Sequence, residues 1–215
     1  MPPRCRTVGR VFFLAVILAA TCGFAACRAD DPPAVADRIL EYCKQQQGKR
    51  VGNGSCTMFV GAALQSAGAR LHGPHAAKPD SPQGRSDDFN WGELVFVVER
   101  VGTEFKTKGD VKDVRPGDII QFTRTTLTGS LDDGSTYTMT ARHHTAIVAQ
   151  VLAGGRVLNI YHQGANGRKA VSGDQIRLLD LERGRFTIFH PIAKTASEPT
   201  PKSTAPNEPE DSPTP

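Results

Sequence analysis

Little in this 215-residue chain points to nucleic acid, a membrane span or a repeat architecture. The formal net charge is +4, and Arg4, Arg6 and Arg10 supply three of those charges. Residues 1–26 hold no acid, which leaves +1 from Cys27 onward. No basic stripe interleaved with aromatics remains, so the electrostatic footprint of a nucleic-acid binder is missing. The apolar run at residues 11–20 is too short to cross a bilayer comfortably. No internal repeat occurs. There is a single tryptophan, Trp91, read as packed core, with lining of a substrate groove as the alternative.

What is present at the N-terminus is a targeting segment. The three arginines form a basic region, residues 11–20 an apolar one, and small residues follow up to Phe24-Ala25-Ala26-Cys27. Residues 1–26 therefore read as a signal peptide, and the chain is expected to be exported. Two outcomes stay open. One is ordinary cleavage after Ala26 or Ala29. The other is a lipoprotein site, with Cys27 carrying a lipid that attaches the chain to a membrane. Of five cysteines, Cys5 and Cys22 leave with the signal, and Cys43 and Cys56 remain. In an oxidising compartment those two can form a disulfide. From residue 194 to 215 the chain is Pro, Ser, Thr and Glu with almost nothing apolar, and is expected to be a disordered tail. Residues 32–193 are left as one domain.

Within that domain the richest stretch is Gly52-Asn53-Gly54-Ser55-Cys56. A Gly-rich turn runs into an expected helix at residues 55–68, with Phe59, Val60, Ala63, Leu64 and Ala67 on one face. Ser55 or Asn53 can cap its start, and Gly68 can end it. A thiol on the first turn feels the positive end of the helix dipole, which favours the thiolate. A first helix is expected at residues 34–47, with Val35, Ile39, Tyr42 and Cys43 on one face. Residues 70–90 read as a long loop. Residues 94–101 are an apolar run, strand or short helix. Strands are expected at 118–124, 145–152, 156–162, 175–181 and 185–190, with a protruding hairpin over 124–142 and a tight turn at Gly154-Gly155. Imidazoles stand beside two of these strands: His143-His144 opens one and His162 closes the next. A zinc reading through His72 and His75 has no carboxylate or cysteine at helpful spacing. No metal or cofactor is expected.

The order of these pieces carries a resemblance. G-x-G-x-C-x-x-F-V-x-x-A-L-x-x-A-G-A around Cys56, then Pro116-Gly117-Asp118-Ile119-Ile120-Gln121-Phe122, then His144-Thr145-Ala146-Ile147-Val148 resemble the papain-like cysteine hydrolases of the NlpC and CHAP types. They also resemble the cysteine-proteinase-fold domain of certain fungal actin-patch proteins. The resemblance covers residues 36–192. It implies an α+β fold, with N-terminal helices packed on an antiparallel β-sheet. It implies Cys56 as nucleophile and His144 as base. His143 points to the opposite strand face and is the alternative base. The third place falls on His162, with Gln163 as the fallback and Gly164 where relatives carry Asn. Asp118 reads as structural, bonding local backbone.

The expected function is an exported cysteine amidohydrolase or peptidase acting on peptidoglycan peptide or amide bonds. A monomer is expected, and no nucleic-acid partner. The alternatives are a non-catalytic cell-wall or protein-binding module on the same fold, and a thiol-dependent acyltransferase.

Overall fold

The computed structural model describes residues 34–71, 89–131, 134–165 and 167–195. The expected signal segment, Cys27, His72, His75 and nearly all of the C-terminal tail lie outside these residues. Two helices come first, α1 (Val35–Gln46) and α2 (Cys56–Ser66). Seven strands follow: β1 (Glu93–Val101), β2 (Glu104–Lys108), β3 (Ile119–Ser130), β4 (Thr136–Leu152), β5 (Val157–His162), β6 (Ser172–Arg177) and β7 (Leu181–His190). They form one antiparallel sheet in the order β2-β1-β7-β3-β4-β5-β6. No described helix is long and apolar enough to cross a membrane.

Strand alternation splits the core in two. On one face Ile119, Ile147 and Phe189 meet Ile39 and Cys43 of α1 and Phe59, Val60, Ala63 and Leu64 of α2. On the other face Ile120, Phe122, Ala146, Val148, Ile160, Phe186 and Ile188 pack together with no residue from either helix. The run Ala146-Ile147-Val148 feeds both cores in turn, which is why it is apolar without a gap.

Residues 94–101 belong to a strand rather than a helix, paired with β7 from Glu93↔His190 onward. The hairpin over 124–142 is less protruding than expected. It continues β3 and β4 as paired strands up to Ser130↔Thr136, and Leu127 and Met139 are buried under Leu178 and Leu181. The edge strand β2 carries only Phe105 as an apolar residue, a pattern too sparse to stand out in the sequence.

The Pro-Gly-Asp turn seats α1 on the sheet. Gly117 has φ +92°, and a Cβ there would come 2.6 Å from the Cβ of Ala36. Only glycine allows that approach with that backbone. Asp118 accepts from the backbone N–H of Arg115 at 2.9 Å, as expected for a structural turn residue. It also bonds His190 Nδ1 at 2.6 Å, joining the start of β3 to the end of β7.

Candidate active site

Ser55 caps α2: its side chain accepts from Met58 N at 3.4 Å, and Asn53 Oδ1 accepts from Ser55 N at 2.9 Å. At the far end Gly68, with φ +67°, closes the helix as Ala69 N donates to Leu64 O at 2.8 Å. Cys56 thus begins the helix, partly exposed, where backbone N–H groups have no intrahelical acceptor. Its Sγ lies 3.9 Å from Thr57 Oγ1, and among the described residues it has no hydrogen bond to an imidazole. Cys43 and Cys56 are both free thiols, so the disulfide does not form. Cys43 is fully buried in the helix core, and burial pushes its thiol up to about 12, which makes it inert.

The loop before Cys56 is clamped to the sheet by Gln163. Its Oε1 accepts from Val51 N at 2.7 Å, and its Nε2 donates to Val51 O at 2.9 Å and Ser55 O at 3.0 Å. With its amide committed on both sides, Gln163 is a strut. Gly164 follows with φ +83°, and a Cβ there would lie 3.0 Å from Gly54 O and 3.3 Å from Cys56 N. That close approach, with that backbone, explains the glycine at this position.

His144 and His162 come together. Their rings meet edge to face, with His144 Nε2 3.2 Å from His162 Nδ1. A third member extends the chain: His162 Nε2 is 2.7 Å from Asp174 Oδ2, with Ser172 Oγ at 3.3 Å. The His162–Asp174 bond holds the Asp174 carboxyl below its ordinary range, so it is ionised and can only accept. His162 therefore carries its proton on Nε2. Of the two facing nitrogens, His144 Nε2 and His162 Nδ1, one donates and the other accepts, a choice set by the tautomers of the pair. Burial first, and the neighbouring His162 second, push His144 down to about 3, against a smaller upward pull from Asp174. His144 is thus neutral at neutral pH. Nothing in the local sequence marks Asp174. It sits twelve residues past His162, and only the register Ile160↔Asp174 and His162↔Ser172 brings it in.

His143 and His144 fall on opposite strand faces, as alternation requires, and His144 lies on the face of Phe122, with ring centroids 5.6 Å apart. At the open end of the β3–β4 pair both histidines nevertheless border one cavity of about 60 Å3 with Cys56, Thr145 and Gln121. Trp91 closes its side. It is buried, stacks on Phe89 at 5.3 Å, and donates its indole N–H to Gln121 Oε1 at 2.8 Å, so it is core and cavity wall at once. Phe89 and Gln121 also border a larger apolar groove of about 610 Å3, with Leu94, Val97 and Phe189 along it. Among the described residues no cluster of His, Cys, Asp and Glu is placed to hold a metal.

A cysteine at a helix start, sharing a cavity with a histidine on an antiparallel sheet, is the arrangement a papain-like fold provides. The family model of the AIM3/BBC1 cysteine proteinase-fold domain matches residues 33–199, more than half of the chain. The chain belongs to this family. The AIM3/BBC1 domain thereby places the protein in the papain-like cysteine proteinase fold, in agreement with the helices-on-antiparallel-sheet architecture. Two crystal structures are similar to the domain at a distance. Ly7917 with the hydrolysing product of MDP has 18% identity and a TM-score of 0.41, over 73% of this chain and 62% of that one. Ly7917 alone has 18% identity and a TM-score of 0.40, over 72% and 62%. The chain thus spans less than two thirds of Ly7917. Among curated proteins no relative matches.

Proposed function

We propose that this AIM3/BBC1-type domain is an exported cysteine amidohydrolase or peptidase. In this reading Cys56 is the nucleophile, His144 the base, and His162 the residue that orients it. The observation that carries the reading is the chain His144–His162–Asp174, which fixes the ring of His144 at the border of the cavity of Cys56. A base oriented by a second group, itself anchored by a carboxylate, is what proton transfer from a thiol requires. Thiol and imidazole close up when a carbonyl enters, since resting hydrogen bonds in such sites are often long or misaligned. The adjoining groove receives the substrate chain, because a cavity of about 60 Å3 has no room for it.

The substrate proposed is a peptidoglycan stem peptide or amide. Its support is the resemblance to NlpC- and CHAP-type hydrolases together with the basic-then-apolar N-terminal segment. Export, with or without a lipid on Cys27, belongs to the same proposal. The second reading, a non-catalytic binding module, is favoured by one fact: among the described residues the thiol lies against Thr57 and not against an imidazole.

Purified protein and its Cys56→Ala form, incubated with cell-wall fragments, separate the two. New amine termini released by the wild type and not by the variant support hydrolysis. Binding without release by both supports the module.

A further inference from the structure

Thr145 follows His144 on β4, where alternation turns it to the helix side with Ile147. It is 3% exposed, and among the described residues its Oγ1 has no hydrogen-bond partner. A buried hydroxyl without a partner weakens a fold. Valine has the same branched shape and would merely extend the run Ala146-Ile147-Val148. Thr145 borders the same cavity of about 60 Å3 as Cys56. That volume admits roughly two water-sized groups. It suits a carbonyl oxygen and the atom it is bonded to. Directly across the β3–β4 pair stands Gln121, its amide held by Trp91, so this wall of the cavity is polar and rigid.

We propose that Thr145 is a catalytic residue, its hydroxyl donating to the oxygen of the carbonyl that Cys56 attacks. The proposal rests on Cys56 being the nucleophile. As the sulfur–carbon bond forms, the carbonyl π pair moves onto oxygen and the thiol proton passes to the imidazole of His144. Thr145 donates a hydrogen bond to that oxyanion and keeps its proton. When the intermediate collapses the C=O bond re-forms, the C–N bond breaks, and the amine leaves with the proton from His144. The acyl group stays on Cys56 until water removes it. A donor aimed at charge that exists only in the intermediate accelerates the chemical step without tightening ground-state binding.

Two probes separate the donor from the nucleophile. Iodoacetamide alkylates the thiol without forming an oxyanion. The aldehyde N-acetyl-phenylalaninal adds to the thiol as a hemithioacetal, whose oxygen takes the oxyanion's place. In Thr145→Val, the alkylation rate of Cys56 stays within about twofold of wild type and the Tm is equal or higher, because a partnerless hydroxyl has been replaced by a methyl. Aldehyde affinity, read as protection of Cys56 from iodoacetamide, falls roughly 100-fold, the loss usual for one oxyanion donor, and Thr145→Ser restores most of it. Equal aldehyde affinity in wild type and Thr145→Val overturns the donor role and leaves the nucleophile intact. Parallel losses of alkylation and aldehyde affinity, or failure of Thr145→Val to fold, overturn it in favour of a structural role. An aldehyde that does not protect Cys56 in the wild type overturns both the donor and the nucleophile.

Discussion

Two aspartate–histidine pairs stand in this domain at almost the same distance, and they are built for opposite ends. His162 meets Asp174 at 2.7 Å, and His190 meets Asp118 at 2.6 Å. The Asp174 side chain is 39% exposed, whereas that of Asp118 is 1% exposed. The hydrogen bond from His162 wins at Asp174 and pulls its carboxyl down, with Arg168 helping from 3.9 Å. Burial wins at Asp118 and lifts its carboxyl to about 6, against the opposing pull of the Arg115 N–H and of His190. Bond length alone therefore says little about what such a pair does. In the proposed reading, solvent on one side leaves the first pair as the anchor of the histidine chain. Full enclosure turns it into a clasp between strands that resents its own charge.

The comparison breaks most visibly at the relay's other end. His144→Ala and Cys56→Ala should each lower turnover by roughly 1000-fold or more, and the double variant should lose little beyond either, because groups acting as a unit are non-additive. Steady-state hydrolysis of a peptidoglycan peptide measures this, and full activity in His144→Ala would move the base to His143. Asp174→Asn keeps the shape and removes the charge. We expect kcat to fall about 10- to 100-fold, the usual scale for a residue that orients another, with KM and Tm little changed. An unchanged kcat would cut Asp174 out of the relay.

The buried pair should respond in stability instead. His190→Ala strands the Asp118 carboxyl in the core and should cost roughly 2–4 kcal/mol in urea unfolding, while the alkylation rate of Cys56 stays near wild type. A loss of alkylation without a loss of stability would reverse the assignment of the two pairs. The smallest effect is a pH slope. Asp118 is raised from 3.8 to about 6 on folding, so the folded state holds its proton more tightly. Its contribution is complete below about pH 4 and is lost as pH rises through about 6. The advantage of wild type over Asp118→Asn should therefore be largest near pH 4 and shrink above pH 6. A gap that widens with pH would show that His190 outweighs burial.

The two helices, most of the strands and the paired histidines were legible in the sequence because each rests on local pattern: 3.6-residue spacing around Phe59 to Ala67, alternation around Ile147, and a cap at Ser55. Less legible was whatever depends on register. Asp174 occupies a polar Ser-Gly-Asp-Gln stretch with no motif, and its meaning comes from lying across from Ile160, beside His162. Gln163 read as a reserve for the third position, whereas its amide spans to Val51 and Ser55, more than a hundred residues away in the chain. Asp118 was readable as a turn residue from Pro-Gly-Asp alone. Its link to His190 was not, because the two lie seventy-two positions apart in the chain.

His162 and Gln163 are neighbours on the chain, and they serve different parties. One side of that dipeptide faces the histidine relay, and the other grips the loop that carries Cys56. The two halves of the site are thus surveyed from a single benchmark, one peptide bond wide. A slip of β5 by one residue would not misplace one group and spare the other; it would unseat both together. The molecule has no partly aligned version of this site, only one that is in register and one that is lost.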